Sequence, residues 1–534
     1  MTSNEKMNRR EFLAPVAATA ALTLVPRHVL GGPGFVPPSD RITLAYIGCG
    51  TQGHREVLRL LPNPEVQIVA VCDPEKDNTN YVDWSPTGLR DEIRRILQNP
   101  NWGGNYTGIR SGRECMKAII EEYYAKQRSA EKFNGPASYE DFRELLEKER
   151  DVDAVKIMTP DHLHGYIAVA AMKKKKHVAV HKPIANRISE LRLVLETQKQ
   201  MGVRTHLLAH QSNTFAGLIP VRQMIEDGAI GTLREIHNWT DRPFWPHYSS
   251  IPTGEVPIPE TFNWKLWLGS VPDRPYSPHY THAVFRGWYE FGAGSIADMG
   301  TYSMWPIYET FDLPVPNSVS AEVSHHCAIS ELGVSRIAVN DFSFPYANKI
   351  RYTYPKHPKW GDIILYWYDG GIRPNVPKEL ADEGKNLPGT GRMFVGDKGI
   401  IVDSDLIPAS KMEAYRKSHG LPAPEPQERA RSAGRGEQQV PRDPWISHFR
   451  NNTESPGDFQ KAWAVTEAIN LGGIASRVAS IAFAGGNRQG VAEDAPRQRT
   501  GAPLLWDAQQ MKFTNESFAN RYLTREYREG WKLG

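Results

Sequence analysis

The chain has 534 residues, enough for at least two domains, and its 64 Lys and Arg residues nearly balance its 61 Asp and Glu residues. A net charge of +3 over this length gives no indication of a nucleic acid or a membrane surface as the partner. The four cysteines show neither metal-type nor disulfide-type spacing, so no metal site is predicted.

The N-terminal residues are typical of an export signal. Residues 8–13, Asn-Arg-Arg-Glu-Phe-Leu, resemble a twin-arginine signal, and a weakly apolar, Ala-rich stretch follows at 14–25. That stretch is too short for a comfortable membrane span, and residues 26–38 are rich in Pro and Gly. We therefore predict that residues 1–38 are signal and linker and that the folded protein is exported to the periplasm. Cleavage of the signal and its retention as an anchor both stay open.

A Gly-x-Gly-x-x-Gly turn at 48–53 lies between an apolar run at 42–47 and a helical pattern. A second apolar run, at 66–71, leads to the acid Asp73. In this order the glycines permit a tight turn, backbone approach to a pyrophosphate and close helix packing, and the helix N-terminus attracts phosphate. The acid can accept hydrogen bonds from a ribose diol, which favours NAD, with NADP still possible. The candidate cofactor residues here are Gly48, Gly50, Thr51, Gln52, Gly53 and Asp73.

The pattern of strands and helices continues along the chain. Strands are predicted at 154–158, 177–180 and 205–209, a turn at 159–164, and helices at 165–174 and 188–201. This alternation predicts a doubly wound parallel sheet, a Rossmann domain over 39–211, with an insertion at about 76–110 near the adenosine or the cleft. Ligands bind at the carboxyl ends of such strands. Further cofactor candidates at those ends are Thr159, Pro160, His164, His181 and Lys182.

Two segments resemble motifs of the glucose–fructose oxidoreductase, inositol dehydrogenase and MocA (Gfo/Idh/MocA) family. They are 159–164, Thr-Pro-Asp-His-Leu-His, and 177–183, which ends in His-Lys-Pro where the family usually has Glu-Lys-Pro. Segments at 264–269, 286–288, 292–300 and 394–399 are also similar, and the ending at 506–531 resembles a secreted branch. The resemblance implies a second, α+β domain with an open, largely antiparallel sheet that often mediates oligomerisation.

We accordingly assign 212–534 as a substrate and oligomerisation domain and expect a homo-oligomer. Strand-like runs at 336–344, 349–354 and 362–368 fit this domain, and the polar residues 410–442 read as a surface loop. A segment near 445–480 is helical in period and is expected to pack back onto the first domain.

The chemistry of hydride transfer from a secondary alcohol requires a group that removes the hydroxyl proton. A buried lysine with a lowered pKa can do this, and Lys182 stands where the family carries its catalytic lysine. Asp298 and Tyr302 are four residues apart, so they share a helix face; the family usually has Asp and His there. Tyr302 is a possible proton relay. His181, His279 and His282 are alternatives that could assist.

These observations predict an NAD-dependent oxidoreductase that acts on a secondary hydroxyl of a sugar, glycoside or polyol. Since a periplasm holds no free NAD pool, the cofactor is expected to be tightly bound. One alternative is a redox-neutral, NAD-dependent glycosidase working by oxidation, elimination and reduction. A second is a non-catalytic sugar-binding protein, which would be favoured if Lys182 were buried away from the cleft. Loop aromatics such as Trp245, Tyr248 and Trp288 are candidates for stacking on sugar rings.

Overall fold

The computed structural model describes residues 40–83, 85, 87–127, 135–242, 245–331, 333–422, 443–482, 495–496 and 501–533. The predicted signal and linker at 1–38 lie outside these ranges. Within them, no helix combines the length and the apolar character that crossing a membrane would require.

The described residues between 40 and 207 form an α/β layer built on a parallel sheet. Its strands are β1 (Ile42–Ile47), β2 (Val66–Cys72), β3 (Asn78–Tyr81), β4 (Ile109–Ser111), β5 (Ala137–Tyr139), β6 (Ala154–Ile157), β7 (His177–Val180) and β8 (Thr205–Leu207). Six of them pair in parallel in the order β5-β2-β1-β6-β7-β8, while β3 and β4 form a separate hairpin. The strand order reverses direction between β1 and β6, which is where such sheets bind ligands. The predicted doubly wound parallel sheet is confirmed.

Helices cover both faces of this sheet. They are α1 (Thr51–Leu60), α2 (Gly88–Leu97), α3 (Arg113–Gln127), α4 (Phe142–Lys148), α5 (Asp161–Lys173) and α6 (Ile188–Met201). Alternate residues of β1 enter two different buried clusters, Leu44 and Tyr46 with α1, and Ala45 and Ile47 with α5 and α6. The strands are therefore apolar on both faces, which explains their continuous apolar runs.

One boundary prediction in this layer was wrong. Residues 161–164, expected as part of a turn, form the first turn of α5, because the acidic Asp161 suits the positive end of the helix dipole and Pro160 precedes it at the N-cap.

The second sheet is mixed and mostly antiparallel, as predicted. The remaining strands are β9 (Leu233–Trp239), β10 (Ser318–Val323), β11 (His326–Glu331), β12 (Val334–Ala338), β13 (Asn348–Thr353), β14 (Ile364–Tyr368), β15 (Gly391–Gly396), β16 (Ile400–Val402), β17 (Asp405–Ile407), β18 (Leu504–Asp507) and β19 (Lys512–Phe513). Nine pair in the order β17-β16-β15-β9-β14-β13-β10-β18-β19, with β9 and β14 parallel. β11 and β12 form a separate hairpin. The strand predicted at 336–344 is thus only partly right, since β12 ends at Ala338.

The remaining α-helices are α7 (Ser212–Ala216), α8 (Ile219–Glu226), α9 (Trp264–Leu268), α10 (Thr301–Phe311), α11 (Lys378–Ala381), α12 (Ala409–Ser418), α13 (Pro444–Arg450) and α14 (Phe459–Ile481). Short 3-10 helices cover His282–Gly287 and Ser517–Tyr522, and a π-helical turn covers Ile296–Gly300. The loop prediction for 410–442 was wrong at its start, because α12 occupies it. Residues 423–442 lie outside the described ranges.

The long helix α14 joins the two sheets. It packs on α6 of the first layer and on β10 of the second, and Asn470 donates to the carbonyl of Ala185 at 3.1 Å. Residues of both layers, such as Val155, Leu191, Ile350 and Ile469, belong to one buried apolar cluster. The two layers therefore share a continuous core.

Candidate active site

The glycine turn between β1 and α1 has the geometry of a dinucleotide cradle. Gly48 has φ +101°, and a Cβ there would lie 2.5 Å from the Met158 carbonyl carbon. A Cβ on Gly53 would overlap the Gly48 carbonyl oxygen, and the Tyr46 hydroxyl donates to the Gly53 carbonyl at 2.7 Å. Gly50, by contrast, has only the Tyr81 ring nearby, 3.2 Å from an added Cβ. Gly48 and Gly53 thus serve the packing of the chain itself, while Gly50 keeps the cleft side clear for a phosphate.

A cleft with about 970 Å³ of empty space, which includes open solvent, lies directly in front of this turn. Of the predicted cofactor residues it is lined by Gly48, Gly50, Thr51, Gln52, Gly53, Asp73, Thr159, Pro160 and His181. Lys182 and His164 are not among its lining residues. The first set comes from the ends of β1, β2, β6 and β7, because the carboxyl ends of parallel strands meet at one edge.

Asp73 lies at the end of β2 with its carboxylate turned toward the glycine turn. One oxygen accepts from the Cys49 N–H at 2.6 Å and the other from the Glu75 N–H at 2.8 Å. Burial raises its pKa to about 6, although these two N–H groups act in the opposite direction. A carboxylate has acceptor positions beyond these two, so Asp73 can also accept from a ribose diol. The cradle and this acid together fit the adenosine half of NAD.

We expect Asp73→Ala to weaken NAD binding about 100-fold, since it removes two hydrogen bonds of roughly 1.5 kcal/mol each to a charged acceptor. NAD affinity of the native protein should fall as the pH drops through about 6, because protonation removes acceptor positions from Asp73. Calorimetric titration from pH 5 to pH 8 measures both effects. Asp91→Ala, on the exposed surface of α2, is the matched control. A pH-independent affinity in the native protein would contradict the assignment.

Lys182, Asp298, Tyr302 and His181 converge at the end of β7. The Lys182 ammonium forms an ion pair with Asp298 and lies 5.4 Å from the centre of the Tyr302 ring. The Tyr302 hydroxyl is 3.2 Å from Nε2 of His181, which reaches the cleft. Lys182 itself is only 2% exposed. Lys182 is therefore connected to the cleft through the adjacent Tyr302 and His181.

Arg286 is the main site residue that sequence reasoning missed. It lines the cleft, and its Nε lies 3.4 Å from Oδ1 of Asp298. Its Nη1 lies 3.2 Å from Oδ1 of Asp161, whose other oxygen accepts from the Ala293 N–H at 3.1 Å. Lys182, Asp298, Arg286 and Asp161 thus form a row of alternating charges, which compensates the cost of burying each one.

Burial controls the protonation of this cluster. It lowers the pKa of Lys182, helped by Arg286 and opposed by Asp161. Burial and the adjacent Lys182 lower the pKa of His181, so its imidazole is neutral. Burial also raises the pKa of Tyr302, which keeps the phenol protonated. Tyr302 can therefore donate or relay a proton, while Lys182 is favoured as a base.

Three histidines considered from sequence have different positions. Both ring nitrogens of His164 are tied to backbone carbonyls, Nδ1 to Pro183 at 2.7 Å and Nε2 to Thr159 at 2.8 Å. His282 lines the cleft, has a pKa lowered to about 4 by burial, and meets the Tyr81 ring edge-on at 4.1 Å. His279 does not line the cleft. Of the three, His282 alone is placed to contact a ligand there.

The rest of the cleft comes from loops, from the insertion at 76–110, from α5 and α9, and from the 3-10 helix at His282–Gly287. Its other lining residues are Pro74, Tyr81, Val82, Met158, Leu163, Trp245, Trp267, Ala283 and Phe285. Trp245 was among the predicted stacking aromatics, whereas Trp288 is buried in an aromatic cluster with Tyr248 against it. In the part of the chain that the structure describes, no three His, Cys, Asp or Glu side chains are grouped to hold a metal ion.

Comparison with known proteins gives two family matches. Residues 90–208 match the model of the GFO_IDH_MocA family, an oxidoreductase family with an NAD-binding Rossmann fold, and residues 219–341 match the model of its C-terminal alpha/beta domain.

Among curated proteins, the chain is 28% identical to levoglucosan dehydrogenase of Pseudarthrobacter phenanthrenivorans over 22% of its own length and 31% of that protein. It is 24% identical to a glycosyl hydrolase family 109 protein of Shewanella pealeana, over 43% of this chain and 44% of that protein. The chain thus spans less than half the length of either relative. The crystal structure of WlbA dehydrogenase from Bordetella pertussis with NADH and UDP-GlcNAcA is 14% identical, with a TM-score of 0.46 and coverage of 82% of this chain and 97% of that one.

Proposed function

Because this chain belongs to the Gfo/Idh/MocA oxidoreductase family, we propose that it is an NAD-dependent oxidoreductase acting on a secondary hydroxyl of a sugar, glycoside or polyol. The observation that carries this proposal is that the dinucleotide cradle and the segment carrying His181 and Lys182 lie at the same cleft. The dinucleotide cradle at 48–53 forms one wall, and His181, adjoining Lys182, forms another. Bound NAD would supply the hydride acceptor.

The chain's own residues divide the remaining work. Gly50 and the first turn of α1 receive the pyrophosphate, and Asp73 receives the adenosine ribose. We propose that Lys182 takes the hydroxyl proton and that Asp298 orients it and stabilises its charged form. The Tyr302–His181 hydrogen bond offers a second route for the proton between this cluster and the cleft. Arg286 forms ion pairs with both Asp161 and Asp298 and so helps to hold the Asp298 carboxylate in place.

Two other functions have specific support. The match to the family 109 glycosyl hydrolase protein covers 43% of this chain, about twice the 22% matched by levoglucosan dehydrogenase, which favours a redox-neutral, NAD-dependent glycosidase as second candidate. The burial of Lys182 outside the cleft lining supports a non-catalytic sugar-binding protein as third. The alternating charge row beside the cleft weighs against the third, since a binding protein has no need of a paired buried lysine there.

One experiment separates the three functions. The purified protein is extracted for bound NAD and then assayed with glycosides and polyols, with and without added NAD. NADH formed in proportion to substrate supports the oxidoreductase, and aglycone release without net NADH supports the glycosidase. Sugar binding without turnover, unchanged in Lys182→Ala, supports the binding protein. Failure to bind any dinucleotide would overturn the two cofactor-dependent functions, the oxidoreductase and the glycosidase.

We further propose that the protein works in the periplasm as a homo-oligomer with tightly held NAD, or less favourably NADP. The double arginine at 9–10 supports export by the twin-arginine route. If the signal is functional, changing both Arg9 and Arg10 to Lys should abolish export. Stoichiometric NAD in the protein purified after export would support a tightly held cofactor. Sedimentation measures the oligomeric state.

A further inference from the structure

A second cavity, with about 390 Å³ of empty space that includes open solvent and room for about two water molecules, lies beside Asn186 and Arg187, which follow Lys182 in the chain. It is lined from α6, α14 and the loop after the 3-10 helix at His282–Gly287, and none of its lining residues lines the NAD cleft. The residues that matter here are Arg187, Tyr289 and Arg477, which all face into it.

Within the part of the chain that the structure describes, Arg187 is a buried cation with no anionic partner. Its side chain is 9% exposed, and its Nη1 and Nη2 donate only to the backbone carbonyls of Asn186, at 2.7 Å, and Tyr289, at 3.0 Å. Among the described residues no carboxylate lies within 4 Å of it. A guanidinium has more N–H groups than these two carbonyls use, and it does not lose its proton in proteins. Its charge therefore remains inside the protein.

The neighbouring charges increase the imbalance. Arg525 is neutralised by Glu190, with Nε at 2.7 Å from Oε1, while Arg477 lies 3.7 Å from Asp341. Both arginines, after burial itself, lower the pKa of Arg187, to about 9. The remaining nearby carboxylate, Glu290, pairs with Arg274. Three guanidiniums thus share two carboxylates around the cavity.

Two further donors belong to residues that line the cavity. The Tyr289 hydroxyl, which lies beside Ser480, and Nε of Arg477 are buried, and within the described ranges neither makes a hydrogen bond of good geometry. Arg187 is also the N-cap of the fourteen-residue helix α6, whose N-terminal end attracts negative charge. An uncompensated buried cation and unused buried donors each cost free energy, which an anion in the cavity would recover.

We propose that this cavity binds a small monoanion, a halide or a small carboxylate such as formate, held by Arg187 and Arg477 with Tyr289 as a neutral donor. The cavity has room for about two water molecules, which admits a small ion and excludes a nucleotide. The proposal is independent of the proposed enzymatic function.

Bromide tests the site directly. Crystals of the protein grown with bromide as the main anion should show an anomalous peak in the cavity beside Arg187. In solution, replacing gluconate by bromide or formate at constant ionic strength should raise Tm by about 2 °C in a saturable manner. Bromide and formate titrations separately show which anion is preferred.

Arg187→Gln should weaken bromide binding at least about tenfold, the loss expected when one charged hydrogen-bond donor is removed. Arg95→Gln, on the exposed surface of α2, removes the same charge and should leave binding unchanged. If Arg187→Gln does not fold, Arg477→Gln tests the same cavity from α14. The absence of an anomalous peak, or bromide binding that both variants leave intact, would overturn the proposal.

Discussion

Lys182→Ala is expected to lower turnover about 10²- to 10⁴-fold, the range that a general base supplies, while NAD affinity stays nearly unchanged. The lysine lies outside the lining of the cofactor cleft, so its loss removes no cofactor contact. Asp298 keeps Arg286 as a partner at 3.4 Å, so the fold should tolerate the change. Steady-state kinetics on the substrate found by screening, with NAD titration alongside, measure both quantities.

A structural role for Lys182 would give a different result. If it acts as a base, small primary amines such as ethylamine should restore part of the activity of Lys182→Ala, because they can occupy the vacated volume. Lys173→Ala, on the exposed side of α5, controls for lost charge. Tyr302→Phe should cost only about tenfold, the worth of one hydrogen bond. Unchanged turnover in Lys182→Ala, with a large loss in Tyr302→Phe, would transfer the main role to the Tyr302–His181 route.

The glycine turn should separate folding from cofactor binding. Gly50→Ala places a methyl group on the cleft side of the turn, where its nearest neighbour is the Tyr81 ring at 3.2 Å. We expect NAD affinity to fall about 100-fold, since the pyrophosphate loses its close approach to the backbone. Tm should change little, because a slight shift of one ring accommodates the methyl group. Thermal unfolding and NAD titration of the same sample measure the contrast.

Gly48→Ala is the matched comparison. Its φ of +101° disfavours any side chain, and the added Cβ would meet the Met158 backbone at 2.5 Å. Backbone strain and overpacking together should cost about 3 kcal/mol or more, so this variant should unfold at lower temperature or fail to accumulate. If Gly48→Ala were as stable as the native protein and Gly50→Ala bound NAD normally, the assignment of the turn as a cradle would be wrong.

The parts of the fold that sequence predicted best are those with strong periodic signals. The strands before Gly48 and Asp73 are buried on both faces, so their apolar runs are continuous and bounded by a glycine or an acid. Their order along the chain then places their carboxyl ends together without further information. The helix at 409–418 was missed because its few apolar residues are interspersed with polar and charged ones and none of its residues is fully buried.

Most of the site beyond the glycine turn depends on tertiary contacts. Arg286 could be noticed only as part of a family-like segment, since nothing in local sequence shows that it would stand between Asp298 and Asp161. Tyr81 and His282 meet across about two hundred residues of chain, one from the insertion and one from a 3-10 helix, so neither position carries a periodic signal. His164 looked like a ligand but serves to connect two strand ends.

The shared core beneath α14 bears on how such a chain can diversify. α14 packs on both α6 and β10. If recombination joined the part before residue 211 to a different second part, each part would therefore lose apolar contacts that bury its core. The two sheets therefore do not correspond to two units that could be exchanged independently. New substrate preferences can instead arise by changes in the peripheral segments that reach the cleft mouth, such as those carrying Tyr81, Trp245 and His282, which leave the common interior intact.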